Sequence, residues 1–360
     1  MGRIISLVLI FLILAYAGTL LRDAGVFKTI HPEFFGDEHG VDKCRVIGGV
    51  PGPEDLVRIG EDGVLIASAP FPRLGSAPEG SLYYLNGSGA PQKLQSAYPK
   101  SFHPHGFDVI AVGDGTYQVA VVNHAVNGTE EEDEIDFFRF DPRTSELRFE
   151  KKAADPLLGN STNDLVLTSL DHFYATEDHA ATTHLGKSAE DFLRLGRGFI
   201  AYYDGAHFSA VYRGIAFANG IIRLPGSDIV VASMLSRKIM RFRESAPGAL
   251  ELKSETKLDA GPDNLFFEPE TQSLWIGAHP KLFKLKAASK NATALSPSRL
   301  WRIREFNTDH ASPVEEIFED SGEHLSALST AITQNGRLWM SAVYGERLLD
   351  CPLPPESKRQ

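Results

Sequence analysis

The sequence is poor in cysteine, in basic clusters and in helical periodicity. Only two cysteines occur in 360 residues, and the net charge is −11 with histidine neutral. Nucleic-acid binding requires clustered lysine and arginine that displace counterions, so this balance argues against a nucleic-acid partner. No Gly-x-Ser-x-Gly motif occurs either, and a serine nucleophile on a strand-to-helix elbow is therefore not expected.

One long apolar run is present, at the start of the chain. Arg3 precedes an almost uninterrupted apolar segment from Ile4 to Leu21, which contains the small-residue pattern AYAG. This arrangement is typical of a secretory signal, and about 18 apolar residues could also just span a bilayer as an uncleaved anchor. We therefore expect residues 1–22 to be a signal peptide or a signal anchor. The protein would enter the secretory pathway and be secreted or held on the lumenal or extracellular side of a membrane.

The two cysteines lie at opposite ends of the remaining chain, Cys44 just past the leader and Cys351 near the C-terminus. In an oxidising compartment a sole pair is expected to form a disulfide, with two unrelated buried thiols as the alternative. The same compartment would allow N-glycosylation at Asn-x-Ser/Thr triplets. Four such triplets begin at Asn86, Asn127, Asn160 and Asn291.

Short β-patterned segments fill the chain after the leader. A polar entrance, a strand, a turn and a second strand recur six times, as in NGIIRLPGSDIVVASM. The period is about 45 to 65 residues, which is typical of propeller blades with four short strands each. We predict an all-β fold, a six-bladed β-propeller over residues 44–352 that forms the catalytic domain. The best helical segment is 182–196, where Leu185, Phe192 and Leu195 form an apolar stripe.

Oxygen-bearing side chains stand at the entrances of these repeats. The first strand of each propeller blade lines a central channel, so entrances that are distant in sequence converge there. The set contains two carboxylates and three amides: Glu54, Asn163, Asn219, Asp263 and Asn264. Such hard oxygen donors suit Ca²⁺, whereas Zn²⁺ would prefer histidine or cysteine. For any single pair, turn formation at a strand start is the alternative.

Two acidic neighbours of these residues predict a second cation. Asp55 follows Glu54, and Asp164 follows Asn163. Neighbouring side chains point in opposite directions along a regular strand, so these two carboxylates could reach an ion deeper along the axis.

Four histidines lie at blade entrances or strand ends: His105, His124, His179 and His279. A neutral histidine beside a cation could take a proton from water. This interpretation is most direct for His105. A surface or hydrogen-bonding role is the alternative for the others.

Several motifs together resemble those of the paraoxonase/arylesterase family. They are PHG, VVNH, ND followed by HFYATEDH, FANGI, and DN followed by LWIGAHP, in order between Cys44 and Cys351. The resemblance implies a six-bladed propeller with two calcium ions in its channel and a retained apolar leader. It also implies hydrolysis of lactones and aryl esters.

The resemblance also implies roles for individual residues. The catalytic calcium would be held by Glu54, Asn163, Asn219, Asp263 and Asn264. The inner calcium would be held by Asp55, Asp164 and the main-chain carbonyl of Phe107. His105 and His124 match a catalytic histidine dyad. Phe217 matches an aromatic of the pocket wall, and we place His179 and His279 in the same substrate pocket.

Two segments depart from the family pattern. After His124 the chain carries AVNGTEEEDEID, which is longer and far more acidic, and we interpret it as a solvated loop. The segment 181–196 is more charged and less aromatic than the membrane-facing helix of the family. Docking of that helix on lipid is therefore not expected, and any membrane attachment is left to the N-terminal apolar segment.

The sequence thus predicts a calcium-dependent hydrolase of aryl esters and lactones. Water, deprotonated by His105 with His124 behind it, would attack a calcium-polarised carbonyl. Glu54 or Asp263 could share the role of base. The alternatives are a related propeller that hydrolyses sugar lactones, a strictosidine-synthase-like enzyme, and a non-catalytic propeller scaffold stabilised by its metals.

Overall fold

Short segments of alternating polarity become strands along most of the chain. The computed structural model describes residues 2–34, 40–70, 79–87, 89–98, 101–127, 130–291, 293–308 and 310–353. The N-terminal elements are helix α1 Gly2–Asp23, strand β1 Glu33–Phe34, a 3₁₀ turn Gly40–Lys43 and strand β2 Arg45–Gly48. These two strands and the strands that follow form six antiparallel sheets arranged in a ring, which confirms the predicted six-bladed β-propeller.

The first three blades follow one another along the chain. Blade 1 contains β3 Pro53–Ile59, β4 Gly63–Ser68, β5 Ser81–Asn86 and β6 Gln92–Lys93. Blade 2 contains β7 Pro104–Ala111, β8 Tyr117–Asn127, β9 Glu130–Asp141 and β10 Glu146–Ala153. Blade 3 contains β11 Thr162–Leu167, β12 Phe173–Glu177, helix α2 His184–Leu193, β13 Gly198–Tyr203 and β14 Phe208–Ile215.

The last three blades complete the ring. Blade 4 contains β15 Ala218–Arg223, β16 Ile229–Ser233, β17 Lys238–Ala246 and β18 Ala249–Lys257. Blade 5 contains β19 Gly261–Glu268, β20 Ser273–His279, helix α3 Leu282–Ala288, β21 Ser298–Ile303 and β22 Glu315–Asp320, with β1 added at its outer edge. Blade 6 contains β23 Leu328–Gln334, β24 Arg337–Ala342 and β25 Arg347–Pro352.

The ring closes between the two ends of the chain. The fourth strand of blade 6 is β2, which pairs antiparallel with β25 and so joins the N-terminal part of the chain to its last strand. Cys44, just before β2, is disulfide-bonded to Cys351 of β25. The expected disulfide is confirmed, and it fixes the pairing of strands that lie about 300 residues apart in sequence.

The core consists of the apolar layers between neighbouring blades. Between blades 1 and 2, Leu65, Phe102 and Phe138 are fully buried in one cluster. Between blades 4 and 5, Val230 and Ile276 belong to another. Because each blade buries both faces against its neighbours, the inner strands are held in contact around the axis, from β3 through β23 and back to β3.

The predicted helix forms, but its apolar stripe faces solvent. Leu185 and Phe192 of α2 are 84% and 65% exposed, and the buried residue of the helix is Glu190. The Glu190 carboxylate accepts hydrogen bonds from the backbone amides of Ala180 and Ala181, both at 3.1 Å. The helix is therefore attached to blade 3 through its polar side.

The N-terminal helix is long and apolar enough to cross a membrane. Its segment Ser6–Asp23 has a mean hydropathy of 1.7, and none of that segment is buried. The end of the helix contacts the propeller, because Asp23 accepts hydrogen bonds from Arg194 at 2.7 Å and from Arg237 at 3.0 Å. Length and composition fit either a signal or an anchor.

Replacing both cysteines tests what the closing disulfide contributes. The bond joins residues 307 positions apart, and in the chain-entropy model a loop of this length stabilises the folded state by about 5 kcal/mol. We expect Cys44→Ser/Cys351→Ser to lower the free energy of unfolding by up to that amount in urea titration without reductant. Reduced wild-type protein is the matched control and should unfold at the same urea concentration as the double variant. A variant as stable as the oxidised wild type would contradict this role.

Candidate functional site

All six inner strands bulge at the same level of the channel. The register of each inner strand with its neighbour shifts between Pro53/Asp55, Pro104/Phe107, Thr162/Leu165, Ala218/Ile221, Pro262/Leu265 and Leu328/Ala331. A bulge sets two residues against one on the partner strand and re-aims side chains. Glu54 and its neighbour Asp55 consequently both reach the channel.

One group of oxygen-bearing side chains meets around Glu54. Its Oε1 accepts hydrogen bonds from Asn264 Nδ2 at 3.2 Å and from Ser329 Oγ at 3.0 Å. Next to them, Asn219 Nδ2 donates to Asp263 Oδ1 at 2.6 Å. These five residues are all at most 4% exposed, so the blade entrances do converge as the repeat predicted.

Two buried amide oxygens, one in this group and one at the entrance of blade 3, indicate what the site could hold. Asn163 Oδ1 and Asn219 Oδ1 are buried and accept no hydrogen bond. A buried oxygen without a donor is costly, and a cation would satisfy it. In the described part of the chain, no three histidine, cysteine, aspartate or glutamate side chains form a metal-binding group by themselves. The amide oxygens would therefore have to complete a coordination shell, as is usual for a hard cation.

Two further carboxylates lie deeper along the channel. Asp55 and Asp164 are buried and line a cavity of about 440 Å³. Burial, together with the charges of Asp164 and Glu54, raises the pKa of Asp55 well above its usual value. Burial and nearby carboxylates also raise the pKa of Asp164. A cation here would oppose both effects, because a nearby positive charge favours the ionised carboxylates.

The backbone of neighbouring blades surrounds these two carboxylates. The amide nitrogen of Phe107 donates to Asp55 Oδ2 at 3.3 Å, and that of Ile221 donates to Asp164 Oδ2 at 2.8 Å. Each carboxylate thus ties its own inner strand to the inner strand of the next blade. The same contacts place the main chain of Phe107 beside the deeper pair.

The predicted histidine dyad forms, and it continues to an unpredicted third residue. His105 Nδ1 lies 2.7 Å from His124 Nε2, and His124 Nδ1 lies 2.7 Å from Asp133 Oδ1. At the other end, His105 Nε2 lies 3.5 Å from Glu54 Oε1. A line of polar contacts therefore runs from Asp133 through both histidines to the oxygen-bearing group.

The acidic segment after His124 is strand rather than solvated loop, so that interpretation was wrong. Strand β8 continues to Asn127 and pairs with β9 in a long hairpin, with His124 opposite Asp133. Asp133 and Asp136 are 4% and 0% exposed. Burial and the charge of Glu134 raise the pKa of Asp136 to about 7. The acidic residues of this segment therefore include buried hydrogen-bond partners as well as solvated side chains.

The three residues assigned to a substrate pocket are in different environments. The rings of Phe217 and His179 are in edge contact, with centroids 5.1 Å apart. His279 is 1% exposed, and its Nε2 lies 2.8 Å from Asp263 Oδ2. His279 is thus buried beside Asp263 and contacts its carboxylate.

Two glycines allow the inner strands to approach one another in the channel. A Cβ at Gly106 would lie 2.6 Å from the Cα of Asp164, and one at Gly220 would lie 2.6 Å from the Cα of Asn264. Both obstacles are backbone atoms. A side chain at either position would push apart the strands that carry the candidate ligands.

Sequence reasoning missed two residues of the site. Ser329 occupies the sixth blade entrance and bonds to Glu54. Asp133 lies beyond a hairpin whose continuation was not recognised. The sixth repeat was visible in the sequence, so its entrance could have been included by position. For Asp133 the signal was the run EIDFFRF, which marks the return strand.

The chain is similar to several known proteins. A family model described as Arylesterase matches residues 92–353. Serum paraoxonase/arylesterase 2 of Homo sapiens is 30% identical over 254 residues, covering 70% of this chain and 69% of the relative. Serum paraoxonase/arylesterase 2 of Rattus norvegicus is 27% identical over 365 residues, covering 98% and 100%.

Solved structures support the architecture. The structure of a luciferin-regenerating enzyme has a TM-score of 0.52 to this chain at 12% identity, covering 86% of this chain and 96% of that one. At this identity the likeness shows the fold alone.

Filling the space at Gly220 should destabilise the fold. In Gly220→Ala the Cβ would meet the backbone of Asn264 at 2.6 Å and of Asp263 at 2.8 Å. Overpacking of this kind costs about 1–3 kcal/mol, which urea titration would measure. Gly48→Ala is the matched control, since its Cβ would meet nothing closer than 3.9 Å. Equal stability of the two variants would contradict the close approach.

The pH dependence of stability should report on His179. Its Nδ1 lies 2.6 Å from Asp178 Oδ1, and its Nε2 lies 2.8 Å from Asp191 Oδ1. Burial lowers the pKa of His179, but the two carboxylates outweigh it and raise the pKa from 6.5 to about 9. Protonated His179 therefore stabilises the folded state fully below pH 6.5, and this contribution is lost as the pH rises through 9.

Thermal and urea unfolding of wild type and His179→Gln between pH 6 and 10 would measure this effect. At about 1.4 kcal/mol per pKa unit, the wild-type advantage is at most about 3 kcal/mol at pH 6. It should vanish near pH 10. His207→Gln, at a largely exposed histidine, should show no such trend. A pH-independent difference for His179→Gln would refute the assignment.

Proposed function

Because the chain belongs to the arylesterase family and is an esterase or lactonase of that family, we propose that it hydrolyses aryl esters and lactones in a calcium-dependent way. The observation that carries the proposal is the meeting of a buried oxygen-donor group with a histidine pair at one end of the channel. His105 is 3.5 Å from Glu54, so a candidate base stands beside a candidate cation site.

We propose two calcium ions, held at two levels of the channel. The upper ion would use side-chain oxygens of Glu54, Asn163, Asn219, Asp263 and Asn264. The deeper ion would use Asp55, Asp164 and the main-chain carbonyl of Phe107. The buried amide oxygens without donors support the first assignment, and the raised pKa of the two deeper aspartates supports the second. When bound, calcium would polarise a carbonyl and stabilise the oxyanion.

His105 is the proposed general base, and His124 supports it. The side chains are 18% and 22% exposed, so water and substrate can approach the pair. A hydrogen bond of 2.7 Å to His124 orients the His105 ring, which directs the other ring nitrogen toward Glu54. Phe217 and His179 are the proposed pocket residues, and His279 would act by holding Asp263.

The remaining assignments belong to the same proposal. We propose that residues 1–22 act as a signal or anchor of the secretory pathway and that residues 44–352 form the catalytic domain. The exposed side chains of Asn86 and Asn291 suit glycosylation. Asn160 is less accessible because its Nδ2 donates to Thr182 O. The side chain of Asn127 lies outside the described residues.

Removal of metal tests calcium dependence and the enzyme itself. We expect a strong chelator to abolish aryl-ester and lactone turnover and to lower the midpoint of thermal unfolding, and calcium to restore both. A ligand at 100 times its Kd stabilises the folded state by about 2.7 kcal/mol. Elemental analysis must confirm that metal was removed. Loss of stability without any turnover in calcium would leave only a metal-stabilised scaffold.

Two variants should separate ligand from base. Asn219→Ala removes a buried oxygen, so calcium affinity and turnover should fall together. His105→Gln should leave calcium affinity nearly unchanged and lower kcat by about 10²- to 10⁴-fold, the usual contribution of a general base. His207→Gln is the control. Undiminished turnover of both substrate classes by His105→Gln would remove His105 from the mechanism and leave Glu54 and Asp263 as candidates.

A further inference from the structure

Asp133 is the most completely buried acidic partner of the histidine pair. It lies directly across the hairpin from His124, its side chain is fully buried, and its Oδ1 is 2.7 Å from His124 Nδ1. The second oxygen, Oδ2, accepts a hydrogen bond from the Thr162 amide at 2.6 Å. The carboxylate is therefore fixed between blade 2 and blade 3, with one oxygen aimed at the imidazole.

Three acidic neighbours of Asp133 are engaged elsewhere or exposed. Glu132 is exposed, and Glu134 pairs with Lys152 at 2.6 Å. Asp136 accepts from Asn123 Nδ2 at 2.9 Å. Among the acidic side chains of this run that the structure describes, Asp133 is thus the one that the hairpin directs to His124.

For an ionised carboxylate and two neutral histidines, the hydrogen-bond chemistry of the row allows one order of protons. An ionised carboxylate only accepts, so His124 must donate from Nδ1 to Asp133. A neutral His124 then has its lone pair on Nε2, and the 2.7 Å contact requires His105 to donate from Nδ1. His105 in turn has its lone pair on Nε2, the nitrogen that faces Glu54 and the channel.

We propose that Asp133 is a positioning residue that sets the tautomers of both histidines, so that His105 Nε2 can accept a proton from water. The proposal rests on the proposed hydrolytic function. It adds Asp133 to the two histidines that form the proposed base. Asp133 touches neither water nor substrate in this role. It acts through His124, and its effect should therefore appear in kcat and in the proton positions.

Asp133→Asn is the decisive variant because it preserves the shape of the side chain and replaces the acceptor that faces His124 with a donor. The amide oxygen can still accept from the Thr162 amide, which leaves the NH₂ group facing His124 Nδ1. His124 would then carry its proton on Nε2 and donate to His105 Nδ1, which forces the His105 proton onto Nε2. We expect kcat to fall about 10²-fold or more, within the range of general-base catalysis, with KM and calcium affinity nearly unchanged.

Glu132→Gln is the matched control, since it removes the same charge one residue away from an exposed position. It should retain wild-type kcat. His124→Gln completes a double-mutant cycle. In the His124→Gln background, Asp133→Asn should have no further effect on kcat. If Asp133→Asn and Glu132→Gln have the same kcat, Asp133 has no positioning role.

Proton NMR of the full-length protein with ¹⁵N-labelled histidine tests the tautomers without substrate. We expect a low-field Nδ1–H signal that is lost in His124→Gln and Asp133→Asn and kept in Glu132→Gln. If the wild type hydrolyses no ester or lactone, the proposed function fails, while this signal still decides the proton positions. If Asp133→Asn does not fold, the wild-type spectrum suffices, because a His124 protonated on Nε2 would overturn the inference.

Discussion

The structure depends on the burial of several carboxylates near one axis. Glu54, Asp55, Asp164 and Asp263 come from three blades and are all nearly inaccessible to solvent. Burial and the charges of nearby carboxylates oppose the ionisation of Asp55 and Asp164 and raise the pKa of both. A fold that collects such charges without a strongly bound cation would be disfavoured. The calcium ions that we propose would therefore have a structural role as well as a catalytic one.

The propeller brings the entrance residues of the inner strands together, and the bulges determine how successive side chains are arranged there. Inner strands that repeat around a ring bring the same strand position of every blade to one level, so residues more than 200 positions apart can touch, as Glu54 and Asn264 do. The bulge at that level allows successive side chains to serve two depths. Glycine at positions 106 and 220 keeps the backbones close enough for this arrangement. The closing strand β2 and the Cys44–Cys351 bond hold the ring against opening.

The sequence predicted the parts of the site that follow from the repeat. Glu54, Asn163, Asn219 and Asp263 were recognised because each stands at an equivalent strand entrance. Ser329 was missed because a hydroxyl is a weaker signal than a carboxylate or an amide. Asp133 was missed because a run of acidic residues usually indicates a solvated surface. Whether one of them is buried depends on the length of the hairpin, which composition does not determine.

The sequence pattern also could not predict which face of α2 packs against the protein. Amphipathicity defines two faces of a helix but not which one meets the protein. Here the polar face turns inward because Glu190 caps two backbone amides of the preceding loop. The apolar residues Leu185 and Phe192 are left outside, on the side of the molecule where α1 also ends.

Glu54 is the point at which ligand and base meet. Its Oε1 receives hydrogen bonds from Asn264 and Ser329, and it also lies 3.5 Å from His105 Nε2. A change at Glu54 would disturb the cation site and the histidine row together, so it cannot separate their contributions. Asn219 lies on the ligand side of this junction and contacts Asp263. Asp133 lies on the histidine side and contacts His124, and its bond to the Thr162 amide can be kept by an asparagine at this position. These two residues, and not the shared carboxylate, therefore allow metal binding and proton transfer to be examined one at a time.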